Sequence, residues 1–232
     1  MSRIAIITAR GGSKRIPHKN IREFCGKPIL AYSIEAALQS GLFDEVMVST
    51  DDEKIAAVAR RYGASVPFMR SAANADDYAT TADVLQEVLQ AYGRRGQTFD
   101  WMCCLYPTAP FVTATRLQEA WTRLTAAAAD GLMPVVRFSY PPQRCFTITE
   151  EGHLAYKWPQ YLRARSQDLE PYYHDAGQFY FWRVKGFGEG TVQRLVPLIL
   201  DEAEVQDIDN LEDWKLAEIK YKLLHRQGEQ VL

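Results

Sequence analysis

Residues 4–20 of this chain read Ile4-Ala5-Ile6-Ile7-Thr8-Ala9-Arg10-Gly11-Gly12-Ser13-Lys14-Arg15-Ile16-Pro17-His18-Lys19-Asn20. The apolar first part predicts a buried strand, and the second part predicts a glycine-rich loop with cationic side chains at Arg10, Lys14, Arg15 and Lys19. Glycine lets backbone N–H groups approach an anion and adopts positive φ at low cost. Arg and Lys add charge-assisted hydrogen bonds to phosphate oxygens. We therefore expect a nucleotide phosphate site, with a plain surface turn as the alternative.

This loop matches neither of the two commonest nucleotide motifs. Walker A requires Gly-x-x-x-x-Gly-Lys-Ser/Thr, and the dinucleotide motif requires Gly-x-Gly-x-x-Gly directly before a helix. Here the loop runs on to Cys25-Gly26-Lys27-Pro28, where Pro28 suits the start of a helix over 29–40. Because open parallel sheets bind ligands beyond the carboxyl ends of their strands, the position after a first strand favours the binding role.

Strand and helix patterns alternate over the first 136 residues, which is typical of βαβ units. We expect one α/β domain, Rossmann-like, with a mostly parallel twisted sheet. The predicted strands are 3–8, 45–49, 66–69, 101–105, 132–136, 178–182 and 195–200, and the predicted helices are 29–40, 53–62, 81–92, 115–129 and 211–225.

The stretch from 137 to 174 breaks this alternation. It is rich in Pro, Tyr, Gln and Arg, and Gly152 predicts a hairpin between 145–149 and 154–157. A segment of this length is uncommon as an idle loop in a compact domain. We expect it to cover the site or to form a subunit contact. Its rings favour an interface over stacking on a ligand: Tyr140, Tyr156, Trp158, Tyr161, Tyr172 and Tyr173.

Composition excludes several classes of function. The 232 residues carry a formal net charge of -2, so broad binding to nucleic acid or to an anionic membrane is not expected. The chain shows no run of about 20 apolar residues and no signal peptide before its first strand, which predicts a cytoplasmic protein. The cysteines lack zinc-site spacing and are expected to be reduced: Cys25, Cys103, Cys104 and Cys145.

Four motifs in order carry a family resemblance: Ala9-Arg10-Gly11-Gly12-Ser13-Lys14…Lys19-Asn20, Ser49-Thr50-Asp51-Asp52, Tyr106-Pro107-Thr108-Ala109-Pro110-Phe111 and Asp207-Ile208-Asp209. Across the whole chain they resemble the acylneuraminate cytidylyltransferase family, sugar cytidylyltransferases that make CMP-activated nonulosonic acids. Three stretches are most similar to members that act on pseudaminic acid: Ala75-Asp76-Asp77-Tyr78-Ala79-Thr80-Thr81, Tyr140-Pro141-Pro142-Gln143-Arg144 and Asp175-Ala176-Gly177-Gln178-Phe179-Tyr180.

The resemblance implies one nucleotidyltransferase domain over 1–232 that uses CTP and magnesium. CMP would pass to the anomeric hydroxyl of a nonulosonic acid, with pyrophosphate as the second product. Pseudaminic acid is the expected sugar, with legionaminic acid, N-acetylneuraminate and 3-deoxy-manno-octulosonate as alternatives in the same chemistry. A non-catalytic nucleotide-binding regulatory module is the alternative of another class. The resemblance also implies a homodimer, in which 138–174 is an inserted dimerisation and sugar-covering segment.

Site roles follow from the same resemblance. The catalytic residues are expected to be Arg10, Lys14, Lys19 and Asp209, and the nucleotide-binding residues Ala9, Gly11, Gly12, Ser13, Asn20, Arg70, Ala79 and Thr81. Cytosine recognition is implied for Asn20, Arg70, Ala79 and Thr81. Thr81 also suits an N-cap, and Arg15 stands where many relatives carry glycine.

A metal site is expected at Asp207 and Asp209, which are two residues apart in an extended stretch and therefore share a face. Magnesium commonly takes one or two carboxylates together with substrate phosphates. The alternative is that Asp209 caps the final helix, since Asn210 follows it directly. The resemblance favours the metal role.

Sugar binding is implied for Tyr106, Arg144, Arg165, His174, Asp175, Gln178 and Phe179. Sialic acid relatives tend to carry Gln at the position of Tyr106, and an aromatic face there suits a sugar with deoxy carbons. They also carry an arginine for the sugar carboxylate where this chain has His174. The planar fork of arginine matches a carboxylate, so the carboxylate partner stays open among Arg144, Arg163 and Arg165.

Overall fold

The computed structural model of the protein describes residues 1–76, 78–188 and 194–226, apart from the side chain of Arg226. Its strands are β1 Arg3–Thr8, β2 Glu23–Phe24, β3 Lys27–Pro28, β4 Glu45–Ser49, β5 Trp101–Leu105, β6 Gly131–Arg137, β7 Phe146–Ile148, β8 Leu154–Tyr156, β9 Tyr173–Asp175, β10 Phe179–Arg183 and β11 Leu195–Leu200. Its α-helices are α1 Ile29–Gln39, α2 Glu53–Arg61, α3 Thr81–Gly93, α4 Ala114–Ala126 and α5 Leu211–Arg226.

One mostly parallel sheet organises the described residues, in the strand order β11-β6-β10-β5-β1-β4 with β9 also paired to β6. Strand β1 pairs in parallel with β4 and β5, and β11 pairs in parallel with β6. Strand β10 runs antiparallel to β5 and β6, and β9 runs antiparallel to β6. The predicted α/β class with a mostly parallel sheet is confirmed.

Strand β1 lies inside the sheet and is buried on both faces. Its alternate residues enter two different apolar clusters: Ala5 and Ile7 pack on one face, and Ile4 and Ile6 pack on the other. A strand covered on both sides reads as a continuous apolar run, which is why residues 4–7 lack polar alternation. Since β1, β4 and β5 are parallel, the residues that follow each of them meet at one edge of the sheet.

A third apolar cluster holds the loop after β1 against the segment before α5. Ile16 of the loop and Ile208 of the segment are both almost fully buried in it. Phe24 anchors the cluster, with edge-on ring contacts to Tyr32 of α1 and Trp214 of α5. These apolar contacts bring Asp207 and Asp209 beside the cationic loop.

Several sequence predictions need correction. The strand predicted at 66–69 is absent. Pro67 lacks an N–H, and the chain pairs with edge strand β4 at the isolated bridge between Met47 and Ser65 rather than along a ladder. The short strands β2, β3 and β9 were not predicted. The hairpin after 145 is confirmed as β7 and β8, although both strands are shorter than expected.

The four cysteines are free, as expected, and Cys103 and Cys104 are buried in β5. Across the described ranges, the helices are too short or too polar to cross a bilayer.

Candidate active site

A cavity of about 480 Å³ lies at the carboxyl edge of the sheet, beside the ends of β1 and β5 and the segment before α5. We call it the central cavity. Its lining combines the four loop cations with the acidic pair: Thr8, Arg10, Ser13, Lys14, Arg15, Lys19, Asn20, Tyr106, Pro107, Thr108, Asp207 and Asp209. The structure therefore brings the cationic loop and the acidic pair together, as the sequence suggested.

Lys19 connects the two sides of the central cavity. Its Nζ donates a hydrogen bond to the backbone oxygen of Ile208, at 2.7 Å, between the two aspartates. Burial lowers the pKa of Lys19, and the nearby carboxylates of Asp209 and Asp207 oppose that effect. The ammonium is thus a half-buried positive charge fixed beside two negative ones.

Asp207 and Asp209 line the central cavity while Ile208 between them is buried, so the alternation expected of an extended stretch is present. Arg15 Nη1 lies 2.8 Å from Asp209 Oδ2, which makes an ion pair across the mouth of the cavity. The ion pair places the Arg15 side chain beside the acidic pair, a position that the family resemblance did not predict.

The cap of α5 is formed by other residues. Asn210 Oδ1 accepts hydrogen bonds from the backbone N–H groups of Glu212, at 2.8 Å, and Asp213, at 3.0 Å. The alternative in which Asp209 caps this helix is therefore wrong. Its carboxylate instead faces the cavity and Arg15.

The acidic pair suits a magnesium ion that takes some of its ligands from the protein and others from a phosphate. Asp207 and Asp209 offer oxygen ligands from one side of the cavity. Within the ranges that the structure describes, no group of three or more His, Cys, Asp or Glu side chains gathers as a metal cage. Two carboxylates with room for phosphate oxygens match the usual preference of magnesium.

The glycines of the loop do not adopt a left-handed backbone. Neither Gly11 nor Gly12 has a positive φ, so that expectation is wrong. A Cβ on Gly11 would lie 2.9 Å from Asp52 Cβ, so glycine is needed for close packing. Gly11 N donates to Asp51 Oδ1 at 2.8 Å, and Ala9 N donates to Ser49 O at 2.9 Å. These bonds hold the start of the loop against the end of β4.

A second cavity, of about 230 Å³, shares Thr8 and Arg10 with the central one. We call it the small cavity, and its lining is Thr8, Arg10, Arg70, Asn74, Asp76, Ala79, Thr80, Thr81 and Val84. Three of the four residues implied in cytosine recognition lie here: Arg70, Ala79 and Thr81. Asn20 lies apart from them, in the central cavity, where its Nδ2 donates to Arg10 O at 2.8 Å.

Arg70 is a buried cation held by one serine. Its Nε donates to Ser49 Oγ at 3.0 Å and its Nη2 to Ser49 O at 2.6 Å. Burial lowers the pKa of Arg70, although the group stays charged because arginine cannot lose its proton in proteins. The guanidinium is therefore rigidly placed at the wall of the small cavity.

Thr81 is not the cap of α3, contrary to the structural alternative. Thr80 is the N-cap and forms a capping box with Asp83, in which the Thr80 hydroxyl accepts from Asp83 N. Thr81 is the first helical residue and lines the small cavity, and its side chain lies close to the phenol of Tyr106. The Thr81 side chain therefore lies between the small cavity and Tyr106.

A third cavity, of about 500 Å³, lies on the other side of Tyr106. We call it the outer cavity; it shares Tyr106 and Asp207 with the central one. Its lining is Tyr106, Val136, His174, Asp175, Ala176, Gly177, Tyr180, Glu202, Val205, Gln206, Asp207 and Lys220. Tyr106, His174 and Asp175, which were implied in sugar binding, meet here.

Two tyrosines and Asp175 form one wall of the outer cavity. The ring of Tyr106 packs edge-on against Tyr180 at 5.6 Å, and Tyr180 Oη donates to the Asp175 carboxylate at 2.8 Å. Gly177 N also donates to Asp175 Oδ1, at 2.8 Å. Burial raises the pKa of Tyr180 and of Tyr106, so both phenols stay protonated. Asp175 is thereby locked as an acceptor facing the cavity.

Other sugar-binding expectations need correction. Gln178 is buried and its Nε2 donates to Glu204 O at 2.6 Å, while Phe179 is fully buried in the core. Neither side chain lines the outer cavity. A strand alternates its faces, so a motif that spans 175–180 sends only some of its residues to a ligand.

The arginines of residues 138–174 also lie away from the outer cavity. Arg144 contacts Ser166 Oγ at 3.3 Å and lines a separate cavity with Tyr140. Arg165 pairs with Asp168 at 2.7 Å, and Arg163 is exposed. Sequence reasoning assigned no role to Tyr180, although that residue ends the motif over 175–180, and it missed Lys220, because a lysine on an amphipathic helix carries no motif.

The α/β fold, together with the charged cavities at the carboxyl edge of its sheet, is typical of a nucleotide-binding protein. The family profile described as Cytidylyltransferase matches residues 4–217. The chain belongs to the cytidylyltransferase family.

Individual relatives are similar to this chain over nearly its whole length. Over 231 residues the chain is 42% identical to a pseudaminic acid cytidylyltransferase of Campylobacter jejuni, covering 98% of this chain and 100% of that protein. It is 37% identical over 229 residues to the CMP-N,N'-diacetyllegionaminic acid synthase of Legionella pneumophila, covering 93% of this chain and 94% of that protein. Among solved structures, a CMP:2-keto-3-deoxy-manno-octonic acid synthetase complexed with CTP has a TM-score of 0.69 at 17% identity, covering 97% of this chain and 100% of that one. The structural similarity supports the assignment of the fold.

Proposed function

We propose that this protein transfers CMP from CTP to the anomeric hydroxyl of a nonulosonic acid, pseudaminic acid in particular, and releases pyrophosphate. The similarity to the Campylobacter jejuni enzyme supports the choice of sugar. One structural observation carries the chemistry: the loop cations and the Asp207–Asp209 pair line one cavity that continues into a smaller and a larger one. The proposed contents are cytosine in the small cavity, the triphosphate in the central cavity and the sugar in the outer cavity.

The central cavity suits an in-line transfer at the α-phosphorus. The anomeric oxygen forms a bond to phosphorus while the bond to the pyrophosphate oxygen breaks, and the hydroxyl proton is released. Arg10, Lys14 and Lys19 would neutralise charge on the transferring and leaving oxygens, which is the main requirement of such reactions. A magnesium ion held by Asp207 and Asp209 would supply further neutralisation of the phosphates.

The border between the central and outer cavities is where the two substrates would meet. Tyr106 and Asp207 line both cavities, so groups bound on either side come within reach there. Tyr106 also presents an aromatic face, which suits a sugar with deoxy carbons. Asp175, locked by Tyr180 and Gly177, offers an acceptor for N–H or O–H groups of the sugar.

Release of pyrophosphate from CTP with magnesium, measured against a panel of nonulosonic acids, tests the proposal. We expect the highest kcat/KM with pseudaminic acid. A higher value with legionaminic acid, N-acetylneuraminate or 3-deoxy-manno-octulosonate would correct the sugar. No release with any of them would favour the nucleotide-binding module. The complete set of Arg10, Lys14, Lys19, Asp207 and Asp209 around one cavity supports catalysis over that alternative.

The base assignment gives a first prediction. Cytosine presents an N4 amino group that needs an acceptor, and the Thr81 hydroxyl lines the small cavity. Thr81→Val is expected to raise the KM for CTP about tenfold, as the loss of one hydrogen bond of a buried ligand implies, and to weaken discrimination against UTP. Steady-state kinetics with both nucleotides check this. Thr122→Val, at an exposed position of α4, is the control. Unchanged CTP and UTP kinetics would remove Thr81 from the base site.

We also propose that residues 138–174 form an inserted segment through which two copies pair as a homodimer. The hairpin of β7 and β8 projects large apolar side chains, with Ile148 75% exposed and Leu154 71% exposed, facing each other across the ladder. Exposed apolar patches of this kind mark interaction sites.

The dimer proposal predicts that Ile148→Glu weakens self-association. Burying one such side chain contributes about 1.5–3 kcal/mol, and a twofold interface buries it twice, so dissociation should increase by at least about tenfold. Light scattering coupled to size exclusion measures the change in mass. Thr147→Glu, on the opposite face of the same strand, should leave the mass unchanged. Equal dimer fractions for wild type and Ile148→Glu would refute this interface.

A further inference from the structure

The outer cavity raises a charge problem for an acidic sugar. Its lining contains the carboxylates of Asp175, Glu202 and Asp207. A sugar acid would add another carboxylate, and like charges at short range repel each other. Among the described lining residues, Lys220 carries the permanent positive charge.

Lys220 lies on α5, half-buried, with its ammonium fixed by the backbone. Its Nζ donates to the carbonyl oxygens of Val205, at 2.8 Å, and Glu202, at 3.1 Å. An ammonium has three donors, so one remains after these two bonds. No carboxylate of the described ranges forms an ion pair with it. The charge is therefore held at the wall of the cavity by neutral backbone oxygens, beyond ion-pair distance of the lining carboxylates.

We propose that Lys220 binds the carboxylate of the sugar acid, an inference that rests on the proposed function. In a 2-keto sugar acid the carboxylate is attached to the anomeric carbon, which also carries the attacking hydroxyl. Anchoring the carboxylate therefore also orients that hydroxyl. Since Asp207 lines both the outer and the central cavity, a carboxylate on Lys220 would leave the hydroxyl near the border with the triphosphate.

The arginines considered from the sequence do not meet these conditions within one subunit. Arg144 lines a different cavity, and Arg165 is paired with Asp168. Arg163 is exposed and lies outside the lining of the outer cavity. Lys220 instead lies on α5, the helix that directly follows the acidic pair, so the proposed metal ligands and the proposed sugar anchor are close in the chain.

Calorimetric titration with pseudaminic acid, together with steady-state kinetics, tests the proposal. Lys220→Met is expected to weaken sugar binding and raise the sugar KM by at least about tenfold, because a hydrogen bond to a charged group is lost. The KM for CTP should stay within about twofold of wild type, and Lys220→Arg should retain most of the sugar affinity. Lys215→Met, at an exposed position of the same helix, is the matched control.

A sugar analogue separates recognition from a purely structural role of Lys220 in holding residues 202–205. With the carboxamide of pseudaminic acid, which lacks the negative charge, wild type and Lys220→Met should bind about equally. An equal penalty on acid and carboxamide, a matching loss of CTP affinity, or unchanged sugar affinity in Lys220→Met would each overturn the assignment. If wild type binds the sugar acid but releases no pyrophosphate, the proposed function fails, while the titration still decides on Lys220.

Discussion

Asp209→Asn is expected to reduce the kcat for pyrophosphate release on the order of 10³-fold, measured at saturating CTP and sugar. Asp209 supplies half of the protein charge available to a divalent cation in the central cavity, since Asp207 is the other carboxylate of the lining. Asparagine keeps the shape and an oxygen but loses the negative charge. The electrostatic stabilisation of the phosphates therefore falls without a change in the walls.

The fold should survive this substitution. Asp209 forms a partly exposed ion pair with Arg15, and such pairs contribute about 0–1 kcal/mol to the free energy of unfolding. Thermal unfolding of Asp209→Asn should match wild type within a few degrees. Asp201→Asn, an exposed aspartate on the same approach to α5, should keep full activity. Near-normal turnover of Asp209→Asn at limiting magnesium would show that the metal assignment is wrong.

Lys19→Ala is expected to lower kcat/KM for CTP by about 10²- to 10³-fold. The ammonium of Lys19 is half-buried between the loop and Ile208, so it would act on a bound phosphate with little screening by water. Alanine removes both this charge and the bond that connects the loop to residues 207–209. The KM for the sugar should change much less, because Lys19 does not line the outer cavity.

Initial rates over a range of CTP concentrations measure the effect of Lys19→Ala. Lys54→Ala, which removes an exposed lysine of α2, is the matched control and should behave as wild type. Circular dichroism shows whether the Lys19 variant is folded. A folded Lys19→Ala protein with unchanged CTP kinetics would exclude Lys19 from the phosphate site.

The parts of this protein that the sequence predicted best are those set by local pattern. The apolar run of β1, the start of α2 at Glu53 and the alternation around Ile208 each act over a few residues, and each is present in the structure. The convergence of the cationic loop with Asp207 and Asp209 was expected only through the family resemblance. It depends on the burial of Ile16 against Ile208, a contact between distant parts of the chain that no local pattern encodes.

The errors have equally specific causes. The cap of α3 was placed one residue late, since Thr80 and Thr81 are chemically identical and only the partner Asp83 distinguishes them. Pro67 interrupts an otherwise strand-like run beside an edge strand. Phe179 belongs to a motif of the site but points into the core, because strand β10 turns alternate side chains to opposite faces.

The central claim is that the cationic loop and the acidic pair act on one triphosphate through a divalent cation. Calorimetric titration of CTP, with magnesium and with a chelator, tests it most directly when wild type is compared with Asp209→Asn. We predict that magnesium strengthens CTP binding in wild type and that most of this gain is lost in Asp209→Asn, while metal-free binding through the loop cations persists. The same magnesium-dependent gain in both proteins would contradict the account.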